Sequence, residues 1–340
     1  MKETLKTLCR LPGVSGREEA VRNYIREQVS PYAAEIREDA MGNLLVHVRG
    51  KLPEEPGKRI LLAAHMDEVG VIITDITAEG YLKFDFVGGV DRRVVIGKKV
   101  LVGDKAIPGV IGLKAIHQTS AAEREKVPAL RELSIDIGIS SKEEAEKLVS
   151  LGDVGTFDDG VTEFGDGYLK AKAIDDRVGC TILLELIRRG LPRDAWFAFT
   201  VQEEVGCRGS QTAAWQLSPD IALILEGTTA ADLPSQSGGE KVCSPGKGPV
   251  IPFMDGGSIY DHGLFRRLTD IAGEKGITWQ TKTKISGGTD ASSIQRGGAG
   301  ARVAAISAAV RNIHSPSCVF CLKDMQKMYD LAFAFLEALI

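Results

Sequence analysis

The 340-residue chain has no excess of positive charge, no long apolar run and no ordered spacing of cysteines. Each absence removes a class of function. Lys and Arg number 42 against 46 Asp and Glu, a formal net charge of -4. The bases are scattered, so neither nucleic acid nor a membrane surface is an expected partner. The apolar runs fall far short of the roughly 20 residues that a membrane-crossing helix needs. Met1–Arg10 is amphipathic and charged, without the apolar centre of a secretory leader, and a cytoplasmic location is expected. The six cysteines lack zinc-finger spacing. Cys318-Val319-Phe320-Cys321 forms a C-x-x-C pair, read here as reduced thiols of a reducing compartment.

What is present is an ordinary globular composition, 44% hydrophobic and 26% charged, long enough for one large domain or two. Ser15 followed by Glu18 reads as a capping box opening a helix over 17–28. Residues 41–50 and the run into Ala64 read as strands, joined by a turn at Pro53–Gly57. From about 68 to 163 the texture changes to short β-branched runs punctuated by glycine: Val69–Thr77, Tyr81–Val87, Lys98–Val102 and Val110–Leu113. A single helix, Ser141–Leu151, is expected among them. Strand–helix alternation returns from Leu169, with helices at Arg177–Arg189, His262–Glu274 and Lys323–Leu339. The pattern is that of an α/β domain, residues 1–67 and 164–340, carrying a β-rich insertion, residues 68–163.

Five short acid- or histidine-bearing segments follow apolar runs of strand character: His65-Met66-Asp67, Asp175-Asp176, Glu203-Glu204, Glu226 and His314. The runs are Ile60–Ala64, Leu169–Ile174, Trp196–Val201, Ile221–Leu225 and Ala301–Ile306. Open α/β sheets place their sites at the carboxyl ends of strands. Imidazoles and carboxylates gathered there suit divalent metals such as zinc or cobalt. In an extended chain His65 and Asp67 face the same side, which lets Asp67 support the imidazole or the metal cluster. An isolated Asp175-Asp176 would be a helix N-cap. Two metals about 3.5–4 Å apart, however, need a bridging carboxylate; Asp175 is given that role and Asp176 a local structural one. Glu203-Glu204 is either a solvated pair or a division of labour in which one glutamate ligates and the other serves as general base. His47, His117 and His262 lie outside such contexts and are not read as ligands.

The pieces Ala64–Gly70, Ala173–Gly179, Thr200–Gly206, Gly287-Gly288-Thr289-Asp290 and Arg311–His314, in this order, resemble the M42 family of metallo-aminopeptidases, the TET-type peptidases, over nearly the whole chain. The resemblance implies a binuclear metal-dependent aminopeptidase acting on short peptides. Its two divalent ions, zinc or cobalt, would be held by His65, Asp175 and Glu226 on one side and by Asp175, Glu204 and His314 on the other. Glu203 would be the base that deprotonates the metal-bridging water, with Asp67 as a second catalytic residue. The resemblance also implies a phosphorylase/hydrolase-like α/β/α catalytic domain, an inserted β-barrel that dimerises, dimers assembling into a tetrahedral dodecamer, and a cis peptide between Asp175 and Asp176. Two other classes compete: a different hydrolase (deacylase or glycosidase), and a non-catalytic scaffold. A glycosidase needs a carboxylate pair flanking a sugar and no metal cluster, so the histidines weigh against it.

Overall fold

The computed structural model describes residues 1–53, 55, 58–234 and 241–339. Two helices come first, α1 (Lys2–Arg10) and α2 (Glu19–Val29), followed by strands β1 (Glu35–Glu38), β2 (Leu44–Val48) and β3 (Ile60–His65). The expected turn at Pro53–Gly57 lies partly outside the described residues. Six strands then form a closed barrel: β4 (Gly70–Ile76), β5 (Leu82–Val87), β6 (Lys99–Val102), β7 (Ile107–Gly112), β8 (Ser134–Asp136) and β9 (Val154–Phe157). The chain returns through β10 (Thr162–Phe164), β11 (Tyr168–Ala171), α3 (Ile174–Arg189), β12 (Ala195–Thr200), α4 (Arg208–Leu217) and β13 (Ile221–Thr229). It ends with α5 (His262–Glu274), α6 (Ala291–Arg296), β14 (Arg302–Arg311), β15 (Cys318–Cys321) and α7 (Leu322–Ala338).

Nine strands make the main sheet, in the order β1-β2-β12-β3-β13-β14-β15-β11-β10. Its four central members, β12, β3, β13 and β14, run parallel. Such strands are buried on both faces and read as continuous apolar runs, and here alternate side chains serve two different cores. Ile60, Leu62 and Ala64 of β3 join the larger core with α1, α2, α3, α5 and α7, while Leu61 and Ala63 face α4 and α6. The barrel has a core of its own, built on Val71, Ile73, Leu82, Phe84, Val100, Val102, Ile135 and Phe157. The architecture is α/β with a closed six-stranded barrel, as the sequence pattern predicts. None of the described helices is long and apolar enough to cross a membrane.

Several local expectations are corrected. Ser141 does cap a helix, accepting from the Glu144 N–H, but that helix is a single turn, Lys142–Ala145, rather than one reaching Leu151. Ser15 and Glu18 form no capping box. The Ser15 hydroxyl donates to Asp67 Oδ2 at 2.6 Å, and Glu18 accepts from the N–H groups of Gly16 and Gln202. A buried aspartate outcompetes the helix end for the serine, because a charge-assisted hydrogen bond is the stronger one. The strand before Asp175 stops at Ala171, and Ala173 then takes a left-handed conformation, φ 53°. Glu226 lies inside β13 rather than after it, and β14 continues to Arg311 before His314.

Candidate metal centre

Because β12, β3, β13 and β14 are parallel, their carboxyl ends open on one edge of the sheet, and the register sets Thr200 of β12 beside His65 of β3. His65 is buried there. Its Nδ1 faces Asp67, 3.1 Å from the carbonyl oxygen and 3.3 Å from Oδ1. Its Nε2 faces the crevice, 3.2 Å from Glu226 Oε1 and 3.4 Å from Asp175 Oδ1. The second oxygen of Asp175 points elsewhere: Oδ2 is 3.6 Å from His314 Nε2, which in turn lies 3.3 Å from Glu204 Oε2. Asp175 therefore stands between two imidazole–carboxylate groups and offers one oxygen to each.

Asp67 organises the adjacent acids. Its Oδ1 accepts from the Glu203 N–H at 2.9 Å and its Oδ2 from the Glu204 N–H at 3.1 Å, beside the Ser15 hydroxyl. With backbone and imidazole donors around it, Asp67 stays below the ordinary carboxylate range: burial opposes its charge, and His65 and Ser15 outweigh burial. Glu203 and Glu204 diverge from this anchor. Glu204 turns toward His314, whereas Glu203 Oε2 is 4.0 Å from His65 and its Oε1 accepts from the Cys207 thiol at 3.3 Å. Burial pushes Glu204 up to about 8 and raises Glu203 and Glu226 as well. His314 is raised to about 9, since Asp175 and Glu204 outweigh the burial that works against its charge.

These shifts express one imbalance: a crowd of carboxylates whose basic partners are two histidines. Among the described residues no lysine or arginine forms an ion pair with Asp175, Glu203, Glu204 or Glu226. Like charges at this spacing hold protons they would otherwise release, unless cations compensate them. Oxygen and imidazole donors with surplus negative charge fit divalent metals. His65, Asp175 and Glu204 offer ligand atoms within 4.8 Å of one another, as do His65, Asp176 and Glu226. The second group names Asp176 where the sequence reading has Asp175. Asp176, however, already accepts from the Gly179 N–H at 2.9 Å and the His65 N–H at 3.3 Å, the bonds of a residue anchoring the start of a helix. Asp175 is the better-placed donor. The peptide joining the two is cis.

All seven residues singled out in the sequence, His65, Asp67, Asp175, Glu203, Glu204, Glu226 and His314, meet in this one crevice. His47 instead stacks on Trp196, 4.9 Å between ring centres. A larger cavity of about 730 Å³, lined by Asp39, Met41, Trp215 and Arg296, contains none of the seven. Sequence reasoning passed over four participants: Ser15, Cys207, the carbonyl of Gly89, which lies 3.1 Å from His314 Nδ1, and Gly227. Asp290 was quoted only as part of a motif. It is buried beside Glu203 and Cys207, accepts from the Thr200 hydroxyl, and keeps Oδ1 without a partner among the described residues. Gly227 carried a legible signal, since a glycine inside an apolar strand marks a close approach.

The model of the M42 glutamyl aminopeptidase family matches residues 42–331. The chain belongs to the M42 peptidase family. Its members are metal-dependent peptidases, so the chain is a peptidase hydrolase and its acidic crevice a candidate metal site. It is 37% identical over 333 residues to a putative aminopeptidase of Acetivibrio thermocellus, covering 97% of each chain. It also superposes on the TET aminopeptidase of the marine sediment archaeon Thaumarchaeota archaeon SCGC AB-539-E09 with a TM-score of 0.93, at 35% identity and covering 100% of this chain and 98% of that one. The TET1 peptidase of Pyrococcus horikoshii, which can assemble into a tetrahedron or a large octahedral shell, aligns with a TM-score of 0.86 at 36% identity, over 98% of both chains.

Proposed function

We propose that this M42 peptidase is an aminopeptidase that uses two divalent ions, zinc or cobalt, to remove the first residue of short peptides. The observation that carries the reading is the division of Asp175, with Oδ1 toward His65 and Glu226 and Oδ2 toward His314 and Glu204. His65, Asp175 and Glu226 would hold one ion, and Asp175, Glu204 and His314 the other. When bound, the pair would polarise the scissile carbonyl and make a water between them acidic enough to attack near neutral pH.

The chain's own residues carry the proton. Glu203 is partly buried, with Oε2 4.0 Å from His65, and is the acid of the Glu203-Glu204 pair that would not hold an ion, which suits it to accept the water's proton and return it to the leaving amine. Asp67 fixes Glu203 through its backbone N–H, so the base and the neighbouring ligand Glu204 are set by one carboxylate. Cys207 donates to Glu203 and restricts its rotamers. With the metals bound, the neighbouring carboxylates are well suited to hold a free α-amine, which limits cleavage to the first peptide bond.

Residues 68–163 would form a separate dimerisation domain. In that position the barrel leaves Val110, Leu113, Ile116 and Val127 exposed, an apolar surface suited to a second copy. Dimers would assemble into a tetrahedral dodecamer, in line with the shells formed by the Pyrococcus horikoshii relative. The deciding experiment compares aminoacyl p-nitroanilides, their N-acetylated forms and N-acetyl amino acids, using metal-stripped protein with zinc or cobalt restored. Metal-dependent release only from free-amine anilides is expected. Release from N-acetyl amino acids instead would make the protein a deacylase, and full activity without metal would overturn the binuclear reading.

A further inference from the structure

One buried oxygen beside the proposed base has no partner. The turn after β12 is tight: the N–H groups of Gly206 and Cys207 both donate to Glu203 O at 2.9 Å, and Cys207 takes a left-handed φ of 52° just before α4. This fold-back sets the Cys207 thiol against Glu203, 3.3 Å from Oε1, while Oε2 of the same carboxylate faces His65 at 4.0 Å. Asp290 closes the group from another element. It directly precedes α6, whose Ala291 and Ile294 are buried in the core shared with α4, so packing fixes its position.

Asp290 is 1% exposed. Its Oδ2 accepts from the Thr200 hydroxyl; among the described residues its Oδ1 accepts from nothing and the carboxylate forms no ion pair. The nearby Ser210 hydroxyl donates to the Cys207 carbonyl at 3.1 Å. A buried carboxylate oxygen in this state is costly until a proton or a cation reaches it. Glu203, Cys207 and Asp290 offer ligand atoms within 4.8 Å of one another, and none of the three is a proposed ligand of the two ions. Two carboxylates and a thiol suit a cation of the zinc class, whose affinity for sulfur sets it apart from magnesium and calcium.

We infer that Glu203, Cys207 and Asp290 form a further divalent-cation site, separate from the proposed pair, which takes zinc, cobalt or cadmium and withdraws Glu203 from proton transfer when filled. The cation would engage Glu203 through the oxygen that faces the thiol. A carboxylate so held no longer accepts a proton from water, and an excess of the activating metal becomes an inhibitor. The binding stands on the geometry of the three side chains; the inhibition rests on the reading of Glu203 as the base. In the metal-free chain burial, Glu203 and Asp290 push the Cys207 thiol up and keep it protonated. A coordinated cation reverses this and releases the thiol proton to solvent, because metal-bound thiols are deprotonated.

The test titrates the metal-stripped full chain with cobalt and with zinc, following bound metal, absorption and turnover of an aminoacyl anilide. The proposed pair has only oxygen and nitrogen ligands, so an intense thiolate-to-cobalt band in the near ultraviolet would report Cys207, the other five cysteines being buried. The band is expected with the third equivalent of cobalt. Zinc beyond two equivalents should lower kcat by roughly 10²–10⁴-fold at saturation, the range of base loss, and magnesium should not. Cys207→Ser should abolish the band. Cys207→Ser and Asp290→Asn should each need at least about tenfold more zinc for the same fractional loss, measured against their own rates at two equivalents. Cys207→Ser leaves the buried acid in place, so the test survives if Asp290→Asn disturbs α6. No thiolate band at any cobalt excess, a band that persists in Cys207→Ser, or zinc inhibition unchanged in both variants overturns the site. A third equivalent with its band but undiminished turnover keeps the site and shows instead that Glu203 is not the base.

Discussion

Replacing Gly227 by alanine tests the central geometry without altering any proposed ligand. Gly227 directly follows Glu226 within β13, and its N–H donates to Asp175 Oδ1 at 3.1 Å. A Cβ at this position would lie 2.6 Å from Asp175 Cγ, 2.6 Å from Oδ1 and 2.8 Å from Asp175 Cβ. Carbon–carbon contacts settle at about 3.5–4.0 Å, so one partner must retreat by about 1 Å. Neither is free to do so, because β13 is paired with β14 at Gly227 itself and with β3 up to Ile224, and Asp175 is buried at the start of α3. Overpacking of this kind costs about 1–3 kcal/mol of stability. A misplacement of ~1 Å at reacting groups costs on the order of 10²-fold in rate. Since Asp175 serves both halves of the cluster, both ions should be lost together rather than one. The assays are metal content by mass spectrometry after dialysis, thermal unfolding, and turnover of an aminoacyl anilide. Gly273→Ala is the control: a Cβ there meets nothing within 4 Å on α5, and the exchange should stabilise slightly. A Gly227→Ala protein with full metal and full activity would refute Asp175 as the shared carboxylate.

Glu203→Gln should retain both metals while turnover falls by roughly 10²–10⁴-fold; parallel loss of metal would make Glu203 a ligand. Ser15→Ala removes a donor from buried Asp67 and should lower turnover about tenfold with little change in helix content by circular dichroism, because the serine does not cap α2; unchanged kinetics would separate Asp67 from the base. Burial raises Glu18 from 4.5 to about 7, so the folded state holds its proton more tightly than the unfolded chain and the stability it contributes is full below about pH 4.5 and lost as pH rises through about 7. Glu18→Gln should therefore gain on the parent as pH rises, by up to about 3 kcal/mol at pH 8, in denaturant titrations of metal-free protein; a constant offset across pH would contradict this. Replacing residues 68–163 with a short linker should abolish large particles in light scattering and weaken metal retention, whereas full-size particles would place the main contacts on the α/β surface.

The legible parts of the sequence were those with a period or a pairing of their own. The apolar runs Ile60–Ala64, Trp196–Val201 and Ile221–Leu225 became parallel strands β3, β12 and β13, and the helix expected at His262–Glu274 has those bounds, with Asp261 capping it. The acids and histidines were legible because a buried polar residue at the end of an apolar run is costly unless it has a task. What misled was local grammar with a distant competitor. Ser15-x-x-Glu18 has the letters of a capping box, yet its serine is claimed by Asp67, 52 residues away. Ser141-x-x-Glu144 kept its cap and lost its helix, which stops after one turn as Ala145 and Val149 pack into the barrel core. Asp290 and the Gly89 carbonyl were hidden for a related reason: each acts through a contact across the fold, and no spacing along the chain records it.

The barrel's relation to the site follows from two of those contacts. Glu68 stands where the chain leaves β3, and its Oε1 accepts from the Gly13 N–H, from the Thr156 hydroxyl of β9 and from Lys172 just before α3. One buried carboxylate thus ties the entry loop, the barrel and the approach to Asp175. At the opposite side Gly89, after β5, places its carbonyl against His314 Nδ1, and a donor there fixes the tautomer that turns Nε2 toward Asp175 and Glu204. His314 sits at φ 57°, in a left-handed loop conformation that is costly without enforcement. The barrel supplies that enforcement through an acceptor on the imidazole. A movement of the barrel, such as one imposed by a second copy docked on it, would therefore reach the metal cluster through His314 before it reached His65, which sits on β3 against Asp67 and Asp176. The two imidazoles answer to different parts of the molecule, one to the sheet and one to the inserted barrel.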